Sequence, residues 1–149
     1  MNPSQFVKPM AIAAFTAALS LSAGMAQAAD DLYKAFGSKE GITKVVDDFV
    51  GFVVADPRIN FQFGKMNAAG VAHLKMQLVD MLCGATGGPC TYTGRDMKST
   101  HAGMNINPAQ FNALAEDMYA AWDKNGVPYH DQNKVMAILA TMQSDIVTK

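Results

Sequence analysis

His101 is the side chain in this sequence best suited to metal chemistry. It lies in the segment 92–106, between a glycine-rich stretch and a strongly helical carboxyl-terminal half. A neutral imidazole is a good ligand for haem iron, and one side of a haem needs only one such residue from the protein. The ordinary alternative is a solvated histidine or one hydrogen-bonded within a core. The residue type alone leaves both interpretations open.

Cys83 and Cys90 are the only cysteines, and they flank the flexible sequence Gly84-Ala-Thr-Gly-Gly-Pro89. In an oxidising compartment such a pair can form a disulfide, and two buried thiols are the alternative. The pair lacks the C-x-x-C-H pattern of covalent haem attachment. The chain also lacks the further cysteines of a structural zinc site.

The first 28 residues resemble a secretory signal rather than part of a fold. Lys8 is their only charged residue, residues 10–23 are apolar and small, and Ala26-Gln-Ala28 has the pattern that signal peptidase cleaves. We expect a signal peptide over residues 1–28, one domain over 29–149 and a periplasmic or secreted protein. The apolar run is shorter than the roughly 20 residues of a membrane span, so no membrane association is expected after cleavage.

The balance of charge excludes one broad class of partner. Without the first 28 residues the chain carries 11 basic and 13 acidic residues, and the basic ones do not cluster. This distribution gives no support for nucleic-acid binding. The remaining length of about 120 residues is enough for one domain with one core.

Apolar residues recur at helical spacing, and no segment alternates with a period of two. One short helix is expected over residues 97–102, after an extended loop over 86–96. Four long amphipathic helices are predicted: 39–55 capped by Ser38, a helix from within 67–71 to about 85, one that starts at Asn107-Pro108 and ends at Asn125-Gly126, and one over 131–147.

The loop over residues 86–96 is difficult to explain in a plain helical bundle. Helices in bundles are usually joined by about 2–8 residues, and longer loops tend to be functional. A flat apolar cofactor held between the helix over 70–85 and the segment 97–102 would explain this loop.

Several short motifs occur along the chain in an order that is specific when they are taken together: Asp47-Asp-Phe49, Ala55-Asp-Pro57, Phe63, Thr86-Gly-Gly-Pro89, Tyr92-Thr-Gly-Arg-Asp-Met-Lys98, His101-Ala-Gly103 and Gly126-Val-Pro128. In this order they resemble the group I truncated haemoglobins, from residue 32 to residue 147. The resemblance implies an all-α two-over-two helical sandwich that holds a non-covalent haem b. It also implies a glycine-rich loop in place of most of the helix before the proximal histidine.

The resemblance implies roles for particular residues. His101 becomes the proximal iron ligand, Phe63 packs on the haem face, and Leu74 and Leu78 face the sixth coordination position from the distal helix. Arg95 or Lys98 could meet a haem propionate, although a solvated charge is the more common explanation for each. The remaining residues implied to line the haem pocket are Tyr92, Met97, Phe111 and Leu114.

The chain departs from this family on the distal side. Family members commonly have Phe-Tyr in the first long helix and a Gln on the distal helix, whereas this chain has Val50 and Leu78. Gln77 stands where some relatives place a sixth ligand. Gln77 and His73 are the polar candidates that remain, and we expect His73 at the rim, since it lies about 100° around the helix from Leu74. His130 is expected at the surface.

The resemblance implies a protein that reversibly binds the diatomic gases O2, NO and CO. An apolar distal side predicts poor retention of O2 relative to CO and NO. The alternative is an enzyme, an NO dioxygenase or a weak peroxidase, which would need an electron donor that this chain does not encode. A haem-free helical adaptor is the third interpretation.

Overall fold

The computed structural model describes residues 31–149. The predicted signal peptide lies outside the described residues. Within residues 31–149 the chain contains helices and no strand, as predicted, and none of these helices is long and apolar enough to cross a membrane. The elements in chain order are α1 with 31–35 as its described part, α2 Ser38–Ala55, a 3-10 turn Asn60–Gln62, α3 Ala68–Ala85, α4 Met97–His101, α5 Pro108–Lys124, α6 Tyr129–Ala140 and α7 Gln143–Ile146.

The start of α2 corrects one prediction. Ser38 is the first residue of the helix and not its cap, and no side chain caps this end. Gly37 occupies the cap position in the left-handed region, with φ 74°. Glycine adopts this conformation without steric cost, so it can turn the chain sharply from α1 into α2. The helix ends at Asp56, before Pro57, as predicted.

Two other helices begin with a side-chain cap, α5 at the predicted Asn107 and α3 at Asn67, within the predicted range 67–71. The side chain of Asn67 accepts a hydrogen bond from the backbone N–H of Gly70 at the start of α3. Asn107 forms a reciprocal capping box with Gln110, and Pro108 occupies the first turn of α5. These bonds satisfy backbone donors that have no partner within the helix.

The prediction of one continuous last helix over 131–147 is wrong. The structure has α6 and α7 in its place, separated at Thr141 and Met142. Here the backbone N–H groups bond three residues back, and the Thr141 hydroxyl also donates to the Ile138 carbonyl at 2.7 Å. Such back-bonding by threonine bends helices, and apolar spacing across the break does not reveal it.

The long helices pack in two layers around one core. α2 lies against α3 and α5, and α6 lies against α5 and α3, while α7 packs on α4. The core includes the fully buried Trp122 and the apolar face of α2. This arrangement is the predicted two-over-two sandwich, and it leaves a cavity between α2, α3, α4 and the carboxyl-terminal helices.

Candidate functional site

A large apolar cavity lies between α2, α3, α4 and the carboxyl-terminal helices. It encloses about 1050 Å³ of empty space when its open mouth is included. All nine site residues singled out in the sequence line this one cavity: His101, Phe63, Leu74, Gln77, Leu78, Tyr92, Met97, Phe111 and Leu114. Their roles towards a cofactor stay predictions.

The His101 imidazole has a defined tautomer. Its Nδ1 lies 2.8 Å from the backbone carbonyl oxygen of Met97. A carbonyl oxygen only accepts hydrogen bonds, so Nδ1 carries the proton and donates it. Nε2 is then the nitrogen with a free lone pair, and a hydrogen bond to the other ring nitrogen is the usual way in which a ligating histidine is oriented. The half-buried His101 is therefore prepared to bind a metal in its neutral form.

Helix α4, which carries His101, has no buried residue of its own and is fixed by its ends. Asp96 caps it by accepting a hydrogen bond from the Ser99 N–H at 2.8 Å. Hydrogen bonding from the backbone N–H of Ser99, together with that from the Ser99 side chain, holds the pKa of Asp96 below its usual value. On the other side the Gln62 amide donates to the carbonyl of Met104 at 3.2 Å, and Thr148 N–H donates to the carbonyl of Ile106 at 2.9 Å.

Cys83 and Cys90 form a disulfide, which resolves the alternatives that the sequence left open. Their Cα atoms are 5.6 Å apart, and Cys83 is fully buried. The bond joins the last turn of α3 to the loop 86–96. Beyond Cys90 the Tyr92 hydroxyl donates to the Arg95 carbonyl at 2.8 Å. The disulfide thus connects the α3 wall of the cavity to the segment that leads to His101.

The α3 wall offers little hydrogen-bonding capacity. Leu74, Leu78 and Met81 line it, with Val50 on α2. Among the α3 residues that line the cavity, only Gln77 has an amide side chain. Its Oε1 is buried without a hydrogen-bond partner. A Cβ added to Gly94 would lie 2.6 Å from this oxygen, so the glycine leaves room for the Gln77 amide.

The other polar candidates lie outside the cavity. His73 and His130 are exposed, and neither lines it. Arg95 and Lys98 are exposed as well and do not line it. Within residues 31–149 there is no group of three or more His, Cys, Asp or Glu side chains that could hold a metal ion. His101 is the one imidazole among the residues that line the cavity.

Sequence reasoning left about half of the cavity lining unassigned, because no signal in the sequence showed which helix faces meet His101. The residues that were not assigned to the site are Phe49, Val53, Met81, Thr100, Ala115, Met118, Met136, Leu139, Met142 and Ile146.

Comparison with known proteins decides the family. The model of the bacterial-like globins matches residues 31–148. This chain belongs to that family. A group 1 truncated hemoglobin, GlbN of Synechocystis sp., is 33% identical over 102 residues, which cover 65% of this chain and 79% of the relative. The chain is therefore a group I truncated globin, as the sequence motifs implied.

Solved structures of this globin family show the same fold. The Fe(III) form of truncated hemoglobin from Tetrahymena pyriformis is 27% identical, with a TM-score of 0.73, covering 79% of this chain and 98% of that one. The 2/2 hemoglobin from Synechococcus sp., in the cyanomet state and with covalently attached heme, is 25% identical, with a TM-score of 0.70 and the same coverage. Membership of the globin family implies haem and the binding of diatomic gases.

Proposed function

We propose that this globin binds haem b non-covalently in the cavity, with His101 as the single protein ligand of the iron. The observation that carries the proposal is the His101 imidazole, whose Nδ1 is engaged by the Met97 carbonyl at 2.8 Å. This bond leaves Nε2 free, and the cavity that His101 lines is large and almost entirely apolar. Haem is a flat apolar group, so the lining fits its chemistry.

Four of the twenty lining residues have a side chain with oxygen or nitrogen atoms: Gln77, Tyr92, Thr100 and His101. An apolar lining keeps water from the metal and favours burial of an apolar ring, at roughly 25 cal/mol per Å². When bound, haem would supply an iron atom with one open coordination position. Phe63, Phe111 and Leu114 would pack on the ring, and His101 would hold the iron.

We further propose reversible binding of O2, NO and CO, with O2 held comparatively weakly. A donor that holds a partly negative O2 ligand contributes about 1–3 kcal/mol. Val50, Leu74 and Leu78 have no donor. The Gln77 amide is the one candidate among the α3 residues of the lining. CO depends less on such a bond, so the apolar wall disfavours O2 relative to CO.

The first experiment tests the iron ligand by absorbance spectroscopy of wild type and His101→Ala. We expect a Soret band in the wild type and a weakened, altered band in the variant. The chain supplies matched controls in the exposed histidines, because His73→Ala and His130→Ala should retain the wild-type spectrum. A wild-type protein without a Soret band would contradict haem binding, and an unchanged spectrum in His101→Ala would contradict the assigned ligand.

A second measurement tests the mode of attachment. Acidified organic solvent extracts non-covalent haem and leaves a covalent adduct on the protein. We expect complete extraction and an unmodified polypeptide mass. An adduct of haem mass on the chain would show attachment of the kind described for the Synechococcus structure.

The gas preference is tested by rapid mixing. We expect fast release of O2 from the ferrous protein, and little change in that rate in Gln77→Leu. Slow release in the wild type that becomes fast in Gln77→Leu would show instead that the amide holds O2. Such a result would favour the enzymatic alternative, NO dioxygenation, because that reaction benefits from a polar group that retains O2. Nitrate formation under an added reductant would then measure it.

We also propose that the protein is exported to the periplasm or secreted. The amino-terminal sequence supports this, and so does the Cys83–Cys90 disulfide, since disulfides persist in oxidising compartments. The test is the mass of the protein recovered from the periplasmic fraction of expressing cells. We expect a chain that begins at Ala29, and a full-length chain in the cytoplasm would contradict the proposal.

A further inference from the structure

Four aromatic side chains form a continuous series of ring contacts from the core to the surface. The Trp122 ring packs edge-on against Phe36, with centroids 5.8 Å apart, and against Tyr119 at 5.4 Å. Tyr119 in turn lies 6.3 Å from Tyr129. Trp122 is fully buried, whereas Tyr129 is 69% exposed. Trp122, Tyr119 and Tyr129 are the oxidisable members, and together we call them the aromatic ladder.

The inner end of the aromatic ladder lies next to the cavity. Met118 lines the cavity and is almost fully buried. It precedes Trp122 by four positions on α5, so the two side chains lie on one helix face, about 5–6 Å apart at Cβ. Trp122 also belongs to the same core cluster as Phe49 and Val50, which line the cavity. The inner end of the ladder is therefore about one helical turn along α5 from a residue that lines the cavity.

We propose that the aromatic ladder carries oxidising equivalents from the haem cavity to the surface, where Tyr129 is oxidised by one electron. The proposal rests on haem binding as proposed above, and the oxidant is hydrogen peroxide. One peroxide molecule takes up two electrons and two protons and leaves as two molecules of water. Each oxidation of Tyr129 supplies one electron to the ladder and releases the phenolic proton to solvent.

The two tyrosines of the ladder differ in what happens to that proton. The Tyr119 hydroxyl donates a hydrogen bond to Oδ1 of Asn133 at 2.9 Å. An amide oxygen is a very weak base, and burial raises the pKa of the Tyr119 phenol, so loss of its proton is less favourable than at Tyr129. The Tyr129 ring is exposed, and water can take its proton. The radical therefore persists at Tyr129.

Two Tyr129 radicals on separate molecules couple through a carbon–carbon bond, and the ring hydrogens move to the phenol oxygens. The net reaction converts two tyrosines and one hydrogen peroxide into one dityrosine and two water molecules. Dityrosine has its own fluorescence and fixes a covalent dimer. Both can be measured without any turnover assay.

The experiment treats the haem-loaded protein with equimolar hydrogen peroxide and measures dityrosine fluorescence, covalent dimers and the freeze-quenched tyrosyl radical signal. The decisive variant is Tyr119→Phe, which leaves the exposed Tyr129 in place but removes the middle step. We expect loss of dimers in Tyr129→Phe and in Tyr119→Phe, down to the level of the haem-free protein. Tyr33→Phe, which removes a tyrosine outside the ladder, should form dimers like the wild type.

Dimers that form equally in Tyr119→Phe would overturn the proposal, because Tyr129 would then be oxidised directly from solvent. A loss of dimers in Tyr33→Phe as large as that in Tyr119→Phe would overturn the proposal as well. Thermal unfolding checks that Tyr119→Phe is folded, and the ring is retained in that variant. A protein with a Soret band but no tyrosyl radical refutes the ladder alone, whereas a protein without a Soret band refutes haem binding and the ladder together.

Discussion

Removal of the Cys83–Cys90 crosslink should lower the stability of the protein without changing its folded structure. The two residues are seven positions apart. For a closed loop of about eight residues, the chain-entropy relation gives a loss of about 2.5 kcal/mol at 25 °C. This equals an increase of about 60-fold in the unfolding equilibrium constant. In a domain of this size it lowers Tm by about 10 °C.

The assay is equilibrium unfolding in urea of the oxidised wild type, the reduced wild type and Cys83→Ala/Cys90→Ala. We expect lower unfolding free energies in the last two and a steeper dependence on urea, since an uncrosslinked unfolded chain exposes more surface. Reoxidation should restore the wild-type value only in the protein that has both cysteines. Haem should also leave the reduced protein faster, because the bond joins α3 to the loop that carries Tyr92.

The reasoning would be refuted if the reduced wild type unfolded with the free energy and urea dependence of the oxidised form. The double variant also loses two sulfur atoms from a buried position, since Cys83 is fully buried. Reduction alone removes the crosslink and keeps both side chains in place. Agreement between reduction and substitution therefore separates the crosslink from the packing.

Three further changes have defined outcomes. Asn107→Ala removes the hydrogen bond from the Gln110 N–H to Oδ1 of Asn107, which is one of the two bonds of the capping box of α5, and we expect a loss of about 1 kcal/mol in unfolding free energy. Burial raises the pKa of Asp117, and nearby Asp56 raises it further. The charged form is therefore disfavoured in the folded state, and Asp117→Asn should be more stable than the wild type at pH 7. In Gly94→Ala the added Cβ would collide with the Tyr92 hydroxyl and lie 2.6 Å from Oε1 of Gln77. We expect weaker haem retention, measured as the rate of haem transfer to an excess of a haem-free globin.

Each of these predictions has its own check. Asn112→Ala, at an exposed position of α5, should leave Tm unchanged, and a loss as large as that of Asn107→Ala would count against the cap. For Asp117 the stability of the wild type falls as pH rises through its raised folded-state pKa, so the advantage of Asn must shrink towards pH 3. A constant advantage would contradict this. For Gly94, Gly51→Ala is the control, since no atom lies within 4 Å of the added Cβ.

Local signals predicted the elements well because they act over a few residues. Asn107 and Pro57 define helix ends through bonds and clashes within one turn, and the structure confirms these two ends. Where the local signal was ambiguous, the prediction was wrong. Ser38 is a good cap by type, but the left-handed Gly37 takes that position. The break at Thr141 depends on a hydroxyl that bonds its own helix, and the apolar pattern continues across it.

Residues of the candidate site could be predicted only where a single helix or a single motif contained them. Leu74, Gln77 and Leu78 share a face of α3 by spacing alone, and family motifs indicated Phe63, Met97 and Phe111. The contributions of α6 and α7 could not be found in this way, because they depend on helices that are distant in sequence and meet only in the fold.

By itself the sequence determined the all-α class, most helix ends and the family, and it predicted His101 as the iron ligand. The tertiary structure decided what surrounds that imidazole. It joined Cys83 to Cys90, left Oε1 of Gln77 buried without a partner and lined up Trp122 with the two outer tyrosines. The physical reason is range: caps and helical spacing act within a turn or two, whereas the cavity exists only where separate helices leave space between them.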